Sequence, residues 1–340
     1  MLEKPNLRDE SIVACVQANY ELSVRQIDFL PLGADVHTAV YRLATPGAVY
    51  FLKLRRGAFH DITVTLPKFL SDHGISEVIS PLPARNGRLW AQLDDFKVIL
   101  YPFVEGQNGY ETPLTAQQWI ALGAVLRRVH TAVLPPALQS QIRREIYSPQ
   151  GRTAVRQYLA LAAHANTFPD AIADEVAALL RAQHSLISDL VDRTDRLAEA
   201  LQAQPPTFTL CHADLHAGNV HITPDGTFYL VDWDDPILAP KEHDLIVAGS
   251  GLMGSWRSPE AEEALFYQGY GAVPLNNHAL AYYRYERIIQ DIAVYCDELL
   301  LSAAGGADRA QSLHYLQSNF LPHNTIALAY QADTTSPPPV

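Results

Sequence analysis

The sequence predicts an α+β chain of two lobes. A small antiparallel β-sheet lobe spans residues 1–104, a larger, mainly helical lobe spans 105–332, and residues 333–340 form a disordered tail. Three observations predict this. Short β-rich runs crowd the first hundred residues. Ala-, Leu-, Gln- and Arg-rich segments at helical spacing dominate the rest. The pattern changes at Val104-Glu105-Gly106, where a β-rich front meets an α-rich back.

Each element has a local reason. VHTAVYRLA and AVYFLKLRR read as strands split by the turn signal Pro46-Gly47. Residues 59–73 read as one helix disturbed by Pro67. RLWAQL and FKVILYPFV read as two strands around Asp94-Asp95. Residues 115–132 and about 170–203 are helical. FTLC at 208–211 is a short strand, and NVHI and TFYLVD flank Pro224-Asp225-Gly226, a hairpin signal. Helices return from 258 to 332. On the helix 280–302, Tyr285, Ile289, Ile292, Cys296 and Leu299 form the expected core stripe. The tail TTSPPPV lacks the residues that pack a core.

Composition narrows the function. With 340 residues the chain suits ~2 domains and is ordinary for a soluble protein, 48% hydrophobic and 18% charged. A net charge of −12 argues against general nucleic-acid binding, which needs a basic surface. It suits a cationic small substrate, although many soluble proteins are simply acidic. The three cysteines, Cys15, Cys211 and Cys296, form no CxxC pair and no disulfide framework. The first ten residues are polar, without the apolar core of a signal peptide. No uncharged apolar run reaches the ~18 residues of a membrane span. These features point to a reduced, cytoplasmic protein without a membrane partner.

The chemistry concentrates in HADLHAGN, residues 212–219. Asp214 precedes Asn219 by five residues, and Asn219 precedes Asp232 by thirteen, enough for a hairpin that returns its ends to each other. An amide oxygen and a carboxylate there suit magnesium and leave room for phosphate and water ligands. Asp214, on the same loop, can reach a substrate hydroxyl. Protein kinases order these parts in the same way: a catalytic-loop Asp, an Asn five residues on, and a metal-binding Asp after the next hairpin. Lys53, inside the apolar run YFLKL, supplies the cation for nucleotide phosphates. Alone it reads as a snorkelling strand lysine; in company with the other three it reads as a ligand group.

Other readings compete. His212, Asp214 and His216 could be the ligands of a metal hydrolase, which leaves Asn219 and Lys53 without a role. A bare polar turn leaves the spacing to coincidence. His212 reads as a structural residue bonded to nearby backbone, His216 as packing beneath the loop, and Asp244 as support for the loop or a helix start. Asp234 and Asp235 read as substrate contacts or as caps. GSGLMG at 249–254 matches G-x-G-x-x-G, but no βαβ unit follows, so it reads as a turn. Without a Gly-Lys dipeptide there is no Walker A loop. Trp119, Trp233 and Trp256 read as core or rim residues.

HADLHAGN, YLVDWDDP and APKEHDL resemble the aminoglycoside phosphotransferase family, whose fold is protein-kinase-like. PLGADVHTAVYRL, FLKL, ILYPFVEGQNGY, REIYSP and YYRYERIIQDIAVY are similar to its spectinomycin phosphotransferase branch, over about residues 5–330. The resemblance implies an enzyme that uses ATP and Mg2+ to phosphorylate a hydroxyl of an aminocyclitol antibiotic, spectinomycin first. It implies Asp214 as catalytic base or hydroxyl-orienting group, and Asn219 and Asp232 as magnesium ligands. Lys53 would hold the phosphates with support from Asp61. Residues 101–104 would be the adenine hinge, through the Pro102 carbonyl and the Val104 N–H, and the loop 32–38 would cover the phosphates. Acidic residues on the helix 280–302 enter as receptors for a substrate ammonium: Glu286 and Asp291, against a salt bridge with Arg287. A metabolic kinase acting on choline, homoserine or a sugar is the alternative enzyme, and a nucleotide-binding pseudokinase the alternative binder.

Overall fold

The computed structural model describes residues 4–32, 37–165, 167–254, 256–303, 308–321 and 325–334. Residues 33–36 of the expected phosphate-covering loop and 335–340 of the expected tail lie outside these. The chain packs as two compact units, Met1–Arg143 with His216–Pro236, and Arg144–Leu215 with Ile237–Val340. The division does not follow the expected break at 104–106. Residues 105–143 and the hairpin stay with the front sheet because they bond to each other. β6 (Gln107–Asn108) pairs with β9 (Val220–Ile222), and the Gln118 amide donates to the Gly226 carbonyl at 2.8 Å.

In the first unit, β1 (Gln26–Leu30), β2 (Thr38–Ala44), β3 (Val49–Arg56), β4 (Ala91–Leu93) and β5 (Phe96–Pro102) form an antiparallel sheet of order β1-β2-β3-β5-β4. Alternation along β3 decides which face each side chain takes. Leu52 and Leu54 are fully buried in a cluster with Leu43, Val98 and Leu100 and with Ile12 and Val16 of α1 (Asp9–Tyr20). Phe51 and Lys53 face the other way and line a cavity. Each leucine so buried contributes roughly 1.5–3 kcal/mol, so the register Lys53↔Ile99 is held by its neighbours rather than by the lysine. α1 was not expected, because DESIVACVQANY buries only Ile12, Cys15 and Val16 and gives a weak apolar stripe.

α2 (Ile62–Asp72) runs through Pro67 without ending. The lost backbone bond is offset by its apolar face, where Ile62, Val64, Leu66 and Leu70 are buried. α3 (Ala116–His130) begins with a capping box between Thr115 and Gln118; α4 (Pro136–Gln139) is a single turn. β9 and β10 (Phe228–Leu230) form the expected hairpin, with Gly226 at φ 88° in its turn.

The second unit is mainly helical. After the short β7 (Arg143–Arg144) come α5 (Gln150–His164), α6 (Ala171–Ala182) and α7 (His184–Ala203). β8 (Phe208–Cys211) pairs antiparallel with β11 (Ile237–Pro240). α8 (Glu242–Leu245), α9 (Pro259–Tyr270), α10 (Asn277–Leu300), α11 (Asp308–Ser318) and α12 (Thr325–Thr334) follow. α10 has 24 residues and buries the expected stripe Tyr285, Ile289, Ile292, Cys296 and Leu299. Arg284 and Ile288 are buried too, so the core surrounds the helix on more than one side. All three cysteines are buried and free. No helix among the described residues is long and apolar enough to cross a membrane.

Candidate active site

In the first unit, a cavity of about 400 Å³ collects Lys53, Pro102, Val104, Asn219 and Asp232. Lys53 reaches it from the middle of β3. Its Nζ lies 2.7 Å from Asp234 Oδ2 and 3.3 Å from Asp232 Oδ1. Arg55, two residues along β3, also donates to Asp234. Burial alone would push the Lys53 ammonium down, but the two carboxylates outweigh it and hold the group above the ordinary lysine value, so it stays charged. Tyr101 beside it is raised by burial, against the pull of Lys53.

Asn219 and Asp232 meet through the hairpin, one residue out of step. The Val231 N–H donates to the Asn219 carbonyl at 3.0 Å, so Asp232 stands one position past the pair. It turns there through a left-handed φ of 64°, a region aspartate tolerates better than most residues. Two hard oxygen donors, one amide and one carboxylate, thus line one cavity, a set that fits magnesium.

Pro102, Phe103, Val104 and Gly106 also line the cavity. The Phe103 N–H donates to the Val49 carbonyl at 3.2 Å, and His221 Nε2 donates to the Val104 carbonyl at 2.9 Å. Gly106 follows where only glycine fits, since a Cβ would lie 2.4 Å from the Ile222 carbonyl oxygen.

In the second unit, HADLHAGN leaves β8 through a strained turn. Ala213 has φ 77°, which costs a non-glycine residue roughly 1–2 kcal/mol. Buried Asp244 holds it there by accepting the N–H groups of His212 at 2.7 Å and Ala213 at 2.9 Å. His212 Nδ1 accepts the Asp214 N–H at 3.4 Å. In the first unit, His216 Nδ1 accepts the Gly218 N–H at 3.1 Å. Both histidines are engaged with backbone, as the structural reading requires and the metal-hydrolase reading does not. Asp214 Oδ1 lies 2.5 Å from Arg287 Nη1, and Arg287 Nε lies 3.3 Å from Asp291 on the next turn of α10.

Two expected roles are corrected. Asp61 does not pair with Lys53; it stands before α2 and accepts the Trp90 indole N–H at 2.9 Å, while Lys53 takes Asp232 and Asp234. Glu286 is not open to a substrate ammonium; it is buried, with Oε2 2.6 Å from Arg152 Nη1. Burial pushes its carboxyl up against the opposing pull of Arg152. Asp291 forms the salt bridge with Arg287 that was the alternative to substrate binding. The main carboxylate on Lys53, Asp234, was not foreseen; the run Asp232-Trp233-Asp234-Asp235 held the signal without ranking its members. Asp235 pairs instead with Arg143, at 2.9 Å. GSGLMG is a turn with Gly249, Gly251 and Gly254 at positive φ, and Trp119 and Trp233 are core while Trp256 is exposed.

Known proteins are similar to this chain in sequence and in fold. The crystal structure of the spectinomycin phosphotransferase APH(9)-Ia with ADP and spectinomycin superposes with a TM-score of 0.90 at 34% identity, covering 97% of this chain and 99% of that one. Its AMP-bound complex gives 0.85 at 33% identity, covering 95% and 98%. Protein StrN of Streptomyces griseus is 28% identical over 266 residues, 72% of this chain and 77% of its own. The model of the phosphotransferase enzyme family matches residues 28–284. The chain is a small-molecule phosphotransferase with a kinase-like fold, and it belongs to the phosphotransferase enzyme family.

Proposed function

We propose that the protein moves the γ-phosphoryl group of ATP to a hydroxyl of an aminocyclitol antibiotic, spectinomycin or a near relative, and so confers resistance to it in the cytoplasm. The observation that carries this reading is the meeting of Lys53, Asn219 and Asp232 in one cavity. It is supported by 34% identity to a phosphotransferase whose crystals hold ADP and spectinomycin.

The residues divide the work. Lys53, kept charged by Asp232 and Asp234, holds phosphate oxygens. The Pro102 carbonyl and the Val104 N–H seat the base. Asn219 and Asp232 would hold a magnesium ion, which when bound neutralises charge on the phosphates. Asp214 orients the substrate hydroxyl and receives its proton. Arg287 holds one of its carboxylate oxygens, Oδ1, and so sets the direction of the other. The transferred phosphorus leaves ADP and bonds to the substrate oxygen. Positioning and charge neutralisation supply the acceleration.

The test is ATP consumption by the purified protein with magnesium, with and without spectinomycin. Spectinomycin should stimulate it, and Asp214→Ala should lower the stimulated turnover at least ~10²-fold while leaving nucleotide binding nearly intact. Unchanged turnover in the variant would remove Asp214 from its role. ATP consumption indifferent to spectinomycin would remove the substrate.

A further inference from the structure

We infer that His221 makes the cavity of the first unit selective for adenine over guanine nucleotides, by occupying the Val104 carbonyl. This rests on the reading of that cavity as a nucleotide site.

The backbone groups along residues 102–104 are unequal. Pro102 has no N–H. The Phe103 N–H is spent on the Val49 carbonyl at 3.2 Å. In an antiparallel pair, alternate residues turn their polar groups to and from the neighbouring strand, so Pro102 and Val104 turn theirs away from β3. Both residues line the cavity. The Val104 carbonyl is already engaged by His221 Nε2 at 2.9 Å. A carbonyl only accepts, so Nε2 carries the proton.

His221 is held in place from both sides. It lies on β9, paired with Asn108 of β6 and Tyr229 of β10. Gly106 lies so close that a Cβ there would be 2.7 Å from Nε2. Along residues 102–104, then, the groups not engaged by the protein are one acceptor, the Pro102 carbonyl, and one donor, the Val104 N–H, while the Val104 carbonyl is shared with His221.

Adenine presents an amino donor beside a ring-nitrogen acceptor and matches this pair. Guanine presents the reverse, a carbonyl acceptor beside N–H donors. It can move along the rim and give its carbonyl to the Val104 N–H. Its own N–H groups must then share the Val104 carbonyl with His221, which already takes one of its two lone pairs and lines the cavity beside it. Buried donors left without a partner are costly, so guanine is disfavoured.

The test is calorimetric binding of ADP and GDP, with magnesium, to the wild-type protein and to His221→Leu and His221→Gln. The wild type should bind ADP at least ~10-fold more tightly than GDP. His221→Leu removes the donor and should shrink that ratio by roughly 10-fold. His221→Gln keeps an N–H donor and should preserve most of it. Equal affinities in the wild type would overturn the inference, even if the Leu variant fails to fold. So would an unchanged ratio in His221→Leu, or a Gln variant that behaves like Leu. The expected ratios without phosphoryl transfer to any small alcohol would remove the proposed function and leave this inference standing. Binding of neither nucleotide would remove both.

Discussion

Replacing Glu262 by Gln should stabilise the protein at pH 8 and leave its stability at pH 5 nearly unchanged. Glu262 lies in the first turn of α9 with 2% of its surface exposed. Its Oε2 accepts the Gly249 N–H at 3.2 Å. Burial raises its carboxyl from 4.5 to about 7, against the smaller opposing effects of the Gly249 N–H and of Arg257. The folded protein therefore holds a proton on this group that the unfolded chain has released, across the interval from 4.5 to about 7. Stability falls as pH rises through that interval and levels off above it. A shift of this size corresponds to a loss of about 3 kcal/mol at most, and ~2 kcal/mol is the working figure for a site that keeps one hydrogen bond. In the Glu262→Gln variant the amide would retain an oxygen for the Gly249 N–H and carry no charge to desolvate. Urea unfolding of both proteins at the two pH values measures the difference. A gain of equal size at pH 5 and pH 8, or no gain at pH 8, would refute the linkage between burial and charge at this position.

The remaining predictions concern the proposed magnesium ligands and the helical core. Asp232→Ala should raise the magnesium concentration for half-maximal turnover at least ~10-fold, because it removes one of the two proposed protein ligands; normal magnesium dependence in that variant would exclude Asp232 as a ligand. Arg152→Met should destabilise by ~3–5 kcal/mol in urea, since it strands the buried Glu286 carboxylate without its partner. Adding Glu286→Leu should recover much of that loss, and a single variant within ~1 kcal/mol of wild type would show that the pair is not held as described.

Much of the fold is legible in the sequence because its signals are local. Alternation in YFLKL places Lys53 opposite Leu52 and Leu54, and the Pro-Asp-Gly turn brings the hairpin back so that Asn219 and Asp232 share a cavity. What sequence does not reveal is which carboxylate satisfies which cation. Asp61, Asp232 and Asp234 are all near enough in chain logic to serve Lys53. The choice depends on the left-handed turn at Asp232 and on the Trp90 indole that engages Asp61, and neither leaves a mark at fixed spacing. Glu286 misleads for a related reason. Helical periodicity gives it a face, but α10 is buried beyond its main stripe, and the partner that makes burial tolerable, Arg152, lies 134 residues earlier. α1 escapes because three buried side chains in twelve residues make too faint a pattern.

The first unit takes its cavity wall from residues 216–236, which the chain reaches only after residues 144–215 have entered the second unit. During synthesis, then, the front sheet must wait with one side of its pocket missing until the ribosome has passed Asp234. The second unit in turn waits for β11 and α10. Neither unit can be cut out as a continuous fragment with its chemistry intact. A truncation after residue 143 keeps Lys53 and the sheet but lacks Asn219, His221, Asp232 and Asp234, leaving a lysine in an apolar strand with neither of its carboxylates. Splitting this protein into halves that regain activity when mixed would require a break in an exposed segment that respects this interleaving, rather than one at the visible change of composition near residue 105.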